Sequence, residues 1–324
     1  MAAPRSLTRN ASPGVQALSR RAHRGRTRWL ALAVVGALSL GTTAAQAWVR
    51  TRSETTEAAF FRSSPSMVLE VATPPDTLGI APADVHAAAQ AAASAWSHPA
   101  IDCTSLALTV APGFNDRQAV AYDGHNQVIL RTGAWCPDPS VQSNCHDPNQ
   151  VALTTVFSRS HPGALDDGQI LEADIEVNDV DYEWAIIPDG SINVHDYGNS
   201  YDLTSALTHE TGHFIGLAHT CLSDGDPVRY DNHGAVSPYC NMLSGDNAAE
   251  ILAATMYPTM NPVDVSLRSL SDDDVAAACS IYPAMTTVTG GCDVSSTPTP
   301  LGGAVAAGAT AALAFAVARR RRAR

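Results

Sequence analysis

The chain has 324 residues, enough for one large domain or two small ones, and its formal net charge at pH 7 is −12. Seven of its 20 basic residues lie in residues 1–28 and five in residues 319–324. Eight arginines and all 32 acidic residues lie in between, a formal charge of −24. A body this acidic argues against nucleic acid or an anionic membrane as a partner. Calcium binding by these carboxylates is one hypothesis, and a solvated acidic face is the alternative.

The first 47 residues have the pattern of a secretory signal. An arginine-rich start without acidic residues is followed by a small, apolar stretch at residues 29–45, and Ala45-Gln46-Ala47 is a typical cleavage site. We therefore expect residues 1–47 to be removed on export, which leaves a short N-terminal segment, residues 48–59, before the main body. A permanent N-terminal anchor is the alternative, although the apolar run is short for one.

The main body, residues 60–284, has the pattern of one mixed α/β unit. In chain order, the signals are a strand at 66–72, a helix at 82–96, and strands at 106–110, 127–131, 151–158 and 170–178. The helix begins at Pro82, a residue favoured in the first turn, and places Val85, Ala89 and Trp96 at helical spacing. The last of these strands alternates apolar and polar residues, which predicts an edge or half-exposed strand.

Two further helices are marked by their capping residues. Asp202 can cap a helix that starts near Leu203. Ser271 and Asp274 form a capping-box pattern for the last helix, and Leu270 is placed as its hydrophobic staple.

The run from His209 to His219 is the most informative part of the sequence. His209 and His213 are four residues apart, so on a helix they share a face and can bind one metal ion. Glu210 lies beside that face, within reach of a water molecule at the metal. Gly216 can adopt a left-handed conformation and end the helix, so that the chain turns and presents His219 as a third ligand. Three protein ligands leave one position open, which is typical of catalytic zinc. A helix with three incidental histidines is the alternative.

This motif resembles the signature of the metzincin metallopeptidases. Metzincins also carry a methionine in a tight turn beneath the metal, and Ala254-Thr255-Met256-Tyr257-Pro258 is similar to that turn. The Met-Tyr-Pro form resembles the matrixins, as does Thr220 directly after the third histidine; an ordinary core residue is the alternative for Met256. The resemblance covers residues 60–284. It implies an α+β, metzincin (zincin-like) catalytic domain, in which a twisted mixed sheet and the active-site helix precede a small C-terminal subdomain ending in a helix.

The resemblance implies a zinc endopeptidase. One catalytic zinc ion is expected on the neutral imidazoles of His209, His213 and His219, where it would polarise the scissile carbonyl and acidify water. Glu210 is expected to take the water proton as general base and to deliver it to the leaving amine. The alternatives are a surface binding or adhesion protein on an inactive metzincin scaffold, and a zinc hydrolase of non-peptide amides. The intact base and ligands disfavour the first, and the Met-turn and edge strand disfavour the second.

Further site residues follow from the same resemblance. Met256 is expected to support the metal site from below, and Tyr257 and Pro258 to shape the adjoining wall. Residues 173–178 resemble the matrixin edge strand that pairs with an extended substrate, and the substrate is expected to lie along residues 172–178. That role has a physical basis, because an edge strand offers unpaired N–H and C=O groups. The central residues of that strand are Asp174, Ile175 and Glu176. Protein or peptide substrates are the expected partners, and the chain is expected to be a monomer.

Two features differ from the animal matrixins. Glu176 stands where those enzymes place a histidine ligand of a structural zinc, so a second zinc is not expected. The lone histidines are then expected to be surface or core residues: His125, His161, His195 and His233. No Pro-Arg-Cys-Gly motif precedes the domain, so latency through a cysteine thiolate is not expected. The long connection 220–255 is interpreted as a solvated, disulfide-tied insertion, with specificity or calcium binding as alternative roles.

The seven cysteines suit an oxidising compartment. Cys292 lies in a C-terminal motif, and the other six form an even set with 15 possible pairings. Short sequence separation favours Cys136–Cys145 and Cys221–Cys240, which leaves Cys103–Cys279 to join the first and last helices. Free buried thiols are the alternative.

Residues 285–324 have the pattern of a second targeting element. A Gly-Gly-Cys motif and a Ser/Thr/Pro linker (285–300) precede 18 uncharged residues at 301–318 and an arginine cluster. Such a stretch can just span a bilayer, with the arginines on the cytoplasmic side. The unit resembles the myxobacterial C-terminal sorting signal, which implies a transmembrane sorting helix at 301–324 and the sorting machinery of the cell envelope as a partner. A simple tail anchor is the alternative, and both place the body at the cell surface or outside the cell.

Overall fold

The computed structural model describes residues 48–138, 145–189 and 197–284. The strands in these residues are β1 (Val49–Arg50), β2 (Phe61–Arg62), β3 (Ser66–Val71), β4 (Ala107–Val110), β5 (Gln127–Arg131), β6 (Ala152–Ser158), β7 (Gln169–Asn178), β8 (Trp184–Ala185), β9 (Tyr201–Asp202) and β10 (Leu217–Ala218). The α-helices are α1 (Pro82–Ala95), α2 (Leu203–Phe214), α3 (Asp246–Ala253) and α4 (Asp272–Ile281), and short 3-10 helices lie at Asp76–Leu78, Cys240–Met242 and Ser266–Arg268. The strands and the first helix expected from the sequence are confirmed, each with ends within one residue.

The main sheet is mostly parallel. Strands β2, β7, β5, β3 and β4 follow one another across it in that order, and each neighbouring pair is parallel. Strand β6 pairs antiparallel with β7 over most of its length. The protein is therefore a mixed α/β structure, compatible with the expected α+β class.

Strand β7 corrects the prediction of an edge strand at 170–178. Asp174, Ile175 and Glu176 each lie opposite a residue of β6, and the latter two also lie opposite residues of β5, so this part of β7 is paired on both sides. The alternating pattern suggested a solvated polar face, but Asp174 and Glu176 are at most 1% exposed. The loop between β4 and β5 and the start of β5 cover that face, because the backbone N–H groups of Ala121 in the loop and Gln127 in β5 donate to the Asp174 carboxylate. Strand β6, which lies beside β7, has one strand partner in the described residues and therefore a free edge, as does β4 at the other side of the sheet.

Helix α1 packs against α2 through a face of small residues. Val85, Ala89 and Trp96 are buried, as their spacing predicted. Small alanines allow two helix backbones to approach closely, and the Trp96 indole Nε1 donates to the carbonyl of Thr208 in α2 at 2.8 Å. The core of the protein therefore lies between the sheet and these two helices. Met256, one of the predicted site residues, is part of this core.

The three predicted disulfides are confirmed. Cys136 pairs with Cys145, Cys221 with Cys240, and Cys103 with Cys279. The last bond joins the segment after α1 to α4 across a sequence separation of 176 residues.

The short segment that starts at Trp48 is part of the folded unit. Its strand β1 pairs antiparallel with β10, and Trp48 and Val49 are buried. The backbone N–H of Thr51 also donates to the carbonyl of Gly216 at 2.9 Å. This segment therefore fixes the chain that follows α2.

The predicted targeting segments lie outside the described residues. These are the secretory signal 1–47, the linker 285–300 and the sorting helix 301–324. In the part of the chain that the structure describes, no helix combines the length and apolar character needed to cross a membrane.

Candidate metal centre

Helix α2 carries two of the three histidines and is anchored at its start. The Asp202 side chain caps it, as predicted, by accepting from the backbone N–H of Ser205 at 2.8 Å. The same carboxylate accepts from Arg268 Nε at 2.7 Å. Because nearly every residue of α2 is buried, the helix is held on all sides and its histidines are fixed in position.

Gly216 makes the turn that brings the third histidine back. Its φ is +99°, in the region where a side chain is strained, and a Cβ there would lie 2.9 Å from the carbonyl oxygen of Phe60. The turn begins with a hydrogen bond from the Gly216 N–H to the carbonyl of His213, 2.9 Å long. Strand β10 follows and delivers His219. The predicted left-handed turn at Gly216 after the helix is therefore confirmed, and metal binding by His219 stays a prediction.

The three imidazoles converge on one point. The Nε2 atom of His219 lies 3.2 Å from that of His209 and 3.1 Å from that of His213. An ion held tetrahedrally, 2.0–2.1 Å from each nitrogen, needs a separation of about 3.3 Å between its ligands. One ligand atom from each histidine lies within 4.8 Å of the other two, so the triad could hold a metal ion.

Backbone carbonyls set the orientation of two rings. The Nδ1 atom of His209 lies 2.6 Å from the carbonyl oxygen of Thr255, and the Nδ1 atom of His213 lies 2.8 Å from that of Leu217. A carbonyl oxygen can only accept, so each Nδ1 carries the proton and each Nε2 presents its lone pair to the shared point. This donor set fits a divalent metal ion.

Burial keeps the histidines uncharged. It lowers the pKa of His213 to about 3, with the neighbouring His209 as the second cause. It also lowers the pKa of His209 and that of His219. Neutral imidazole is the form that binds a metal, so the site is prepared for one near neutral pH.

Glu210 places a carboxyl group beside the triad in a dry environment. The residue is 4% exposed, and burial raises its pKa to about 7. The Oγ1 atom of Thr154 lies 2.6 Å from Glu210 Oε2, an interaction that lowers the pKa and partly offsets the effect of burial. A carboxyl group that titrates near neutral pH can both accept and return a proton, as a general base requires.

Met256 lies in a tight turn that approaches α2; the tight turn is confirmed, and its place beneath a metal ion stays a prediction. The turn is closed by the Tyr257 N–H, which donates to the carbonyl of Ala254 at 3.0 Å, and Met256 is 1% exposed. A Cβ on Gly212 of α2 would lie 2.2 Å from Met256 Sδ, so glycine is needed for the methionine to reach the helix. The carbonyl of Met256 accepts from the N–H of Thr220, next to the third histidine, at 3.1 Å. The turn therefore contacts both parts of the chain that carry the triad.

The two residues after Met256 lie at the surface of the same turn. Tyr257 and Pro258 are half-buried. Tyr257 packs against a small cluster that includes Ile251 and the Cys221–Cys240 disulfide. Their predicted role as a pocket wall stays a prediction.

Asp174, Ile175 and Glu176 do not form the free strand edge that was predicted, because they lie within the sheet. Glu176 Oε1 accepts from Arg131 Nε at 2.6 Å, and its Oε2 lies 3.1 Å from Nε2 of His146. Both members of the Arg131–Glu176 pair are at most 2% exposed, so Glu176 is part of a buried ion pair in the interior of the protein. Among the described residues, the triad is the one group of three or more His, Cys, Asp or Glu side chains whose ligand atoms converge. Calcium binding stays a prediction.

Two residues at the site were missed by the sequence reasoning. Thr154 contacts Glu210 from β6, and no local pattern in a strand signals such a contact. Asp274 was recognised as a capping residue of α4, and the capping box is confirmed. Its carboxylate also accepts from the backbone N–H groups of Thr255 and Met256, at 2.7 and 3.3 Å. It thereby fixes the methionine turn, including the Thr255 carbonyl that orients His209.

Comparison with known proteins gives no independent assignment. No protein-family model matches this chain, and no curated protein matches it.

Proposed function

We propose that this protein is a zinc endopeptidase of the metzincin group, similar to the matrixins. One observation carries the proposal: three neutral imidazoles present converging Nε2 atoms next to a buried carboxyl group whose pKa is near 7. The chemistry of this donor set favours zinc, and three protein ligands leave a position open for chemistry. The turn around Met256 and the glycine-terminated helix support the metzincin assignment.

Each site residue has a role in hydrolysis. His209, His213 and His219 would hold the ion, and zinc supplies a Lewis acid that polarises the scissile carbonyl and acidifies water. Glu210 accepts the proton of the attacking water and donates it to the leaving amine. Met256 is neither a ligand nor a proton carrier, and it supports the floor of the site through its contact with α2.

An extended peptide is the substrate that suits the sheet. Strand β6 packs against α2 and has its second edge unpaired in the described residues. A substrate strand can add to such an edge through main-chain hydrogen bonds. We therefore assign the substrate-pairing role to residues 152–158 in place of 172–178, with Tyr257 and Pro258 as the adjoining wall. The acidic body argues against nucleic acid as a ligand.

An exported location fits the same chain. Three disulfides are typical of proteins that fold in an oxidising compartment. Together with the signal at 1–47 and the sorting segment at 301–324, they favour a protein that acts at the cell surface or outside the cell. The envelope sorting machinery would be its second partner.

Hydrolysis of casein by the purified full-length chain tests the proposal. We expect activity that a chelator abolishes and zinc restores, with one zinc ion per chain by elemental analysis. Glu210→Gln should lower kcat by roughly 10²- to 10⁴-fold, the contribution of a general base, and leave the zinc content unchanged. Glu54→Gln, which changes an exposed glutamate in the N-terminal segment, is the control. Full activity of Glu210→Gln, or a protein without metal, would contradict the proposal.

A further inference from the structure

Thr154 is the side chain in the described residues that hydrogen-bonds to the Glu210 carboxyl group. Its Oγ1 lies 2.6 Å from Glu210 Oε2 and 3.1 Å from the backbone carbonyl oxygen of the same residue. The threonine hydroxyl carries one proton, which it can donate either to the carboxylate or to the carbonyl oxygen, and its own oxygen can accept a hydrogen bond. These two contacts join β6 to Glu210 of α2, and they fix the positions of the two elements relative to each other.

The contact lies where water is scarce. Glu210 is 4% exposed, so few water molecules can replace the threonine hydroxyl as a partner of the carboxyl. A glutamate side chain with no partner has several rotamers within reach, and a buried carboxyl without a hydrogen bond is costly. The hydroxyl therefore limits the carboxyl to the orientation seen here.

Strand β6 holds Thr154 firmly. In the antiparallel register, Thr154 lies opposite Ile175, which is fully buried in the centre of the sheet. Side chains alternate along a strand, so Thr154 and Val156 share the face towards the core, and Val156 packs on the core cluster. The threonine hydroxyl is thus positioned by the sheet, independently of α2.

We propose that Thr154 is a positioning residue for catalysis, which holds the Glu210 carboxyl in the orientation that its proton transfers need. This inference rests on the proposed function. Thr154 Oγ1 donates to Oε2 of the Glu210 carboxylate at 2.6 Å. This hydrogen bond fixes the rotation of the carboxylate and thereby the direction in which its second oxygen, Oε1, points.

Three substitutions test the inference through steady-state kinetics on a quenched peptide. Thr154→Val keeps the shape of the side chain and removes the hydroxyl, and Thr154→Ser keeps the hydroxyl. The control is Thr77→Val, the same change at an exposed threonine in the 3-10 helix Asp76–Leu78. We expect Thr154→Val to lower kcat by about 10- to 100-fold, the range for one hydrogen bond to a charged group, with KM within about twofold. Thr154→Ser should stay within about threefold of the parent, and Thr77→Val should match it.

Zinc content and thermal unfolding are measured on the same samples. An unchanged zinc content in Thr154→Val separates positioning of Glu210 from damage to the metal centre. If Thr154→Val does not fold, Thr154→Ala replaces it in the comparison with Thr154→Ser.

The outcomes distinguish this inference from the proposed function. If the parent is active, Glu210→Gln is inactive and folded Thr154→Val keeps full kcat, the inference is wrong and the proposed function stands. A serine variant as impaired as the valine variant also overturns it, because the hydroxyl would then not be the important group. If the parent chain itself hydrolyses no peptide, the proposed function fails first and the inference fails with it.

Discussion

Replacing Gly212 with alanine is expected to destabilise this protein, although the same change stabilises most helices. Gly212 lies inside α2, and its φ is not in the left-handed region. An added Cβ would lie 2.2 Å from Met256 Sδ and 2.9 Å from Trp96 Cζ2. Real Cβ atoms do not approach other atoms so closely, so at least one neighbour must move.

The magnitude follows from two opposing effects. Alanine is favoured over glycine in a helix interior by roughly 1 kcal/mol. Forcing an extra methyl group into a packed core costs about 1–3 kcal/mol. Here the upper part of that range applies, because Trp96 and Met256 are 0% and 1% exposed and the indole is also tied to the Thr208 carbonyl. The free energy of unfolding should therefore fall by roughly 1–2 kcal/mol.

Urea and thermal unfolding of three variants check this reasoning. A protein of this size loses roughly 2–4 °C in Tm for each kcal/mol. Met256→Ala alone should cost about 2–5 kcal/mol through the cavity that it leaves. In the Gly212→Ala, Met256→Ala double variant the new methyl group fills part of that cavity, so the double change should cost less than the two single changes together. A Gly212→Ala variant as stable as the parent, or strictly additive costs, would refute the steric account.

Three further perturbations have expected outcomes. Glu176→Ala leaves a buried arginine without its partner and should lower the free energy of unfolding by about 3–5 kcal/mol in urea; a loss below about 1 kcal/mol would show that the ion pair is dispensable. Serine at both Cys103 and Cys279 opens the longest disulfide loop and should cost about 2–5 kcal/mol; equal Tm values for parent and variant would contradict this. Gly216→Ala strains a residue at φ +99° and should cost at least about 1 kcal/mol while reducing bound zinc. Unchanged stability and zinc content would show that the turn tolerates a side chain.

Local signals in the sequence predicted most of the elements and the three histidines that converge at the candidate metal site. The caps at Asp202 and Ser271 act within one helical turn, so three or four residues are enough to recognise them. The spacing of His209 and His213 is likewise a property of one helix. Gly216 marks its turn because only glycine adopts that conformation without strain. The cysteine pairs could be predicted because two of them close short loops.

The pairing partners of β7 could not be read from its own residues. Its alternation of apolar and acidic residues indicates two different faces, and it suggested that the acidic face meets water. The acidic face instead meets the loop before β5 and two residues of β5, Gln127 and Arg131, and N–H groups of these parts donate to the carboxylates in the place of water. An alternation of apolar and acidic residues in the sequence does not distinguish carboxylates that are buried and hydrogen-bonded from carboxylates that face water.

What the sequence determined by itself was therefore the set of groups: three histidines, one glutamate, a glycine and a methionine at spacings that one helix and two turns can bring together. Tertiary structure alone decided how those groups are held. Thr154 reaches Glu210 from β6, Asp274 supports the turn of Met256 from α4, and Gly212 makes room for that methionine. Each of these contacts joins elements that are between about 18 and 56 residues apart in the chain. Their physical cause is the packing of whole elements, which no local window of residues contains.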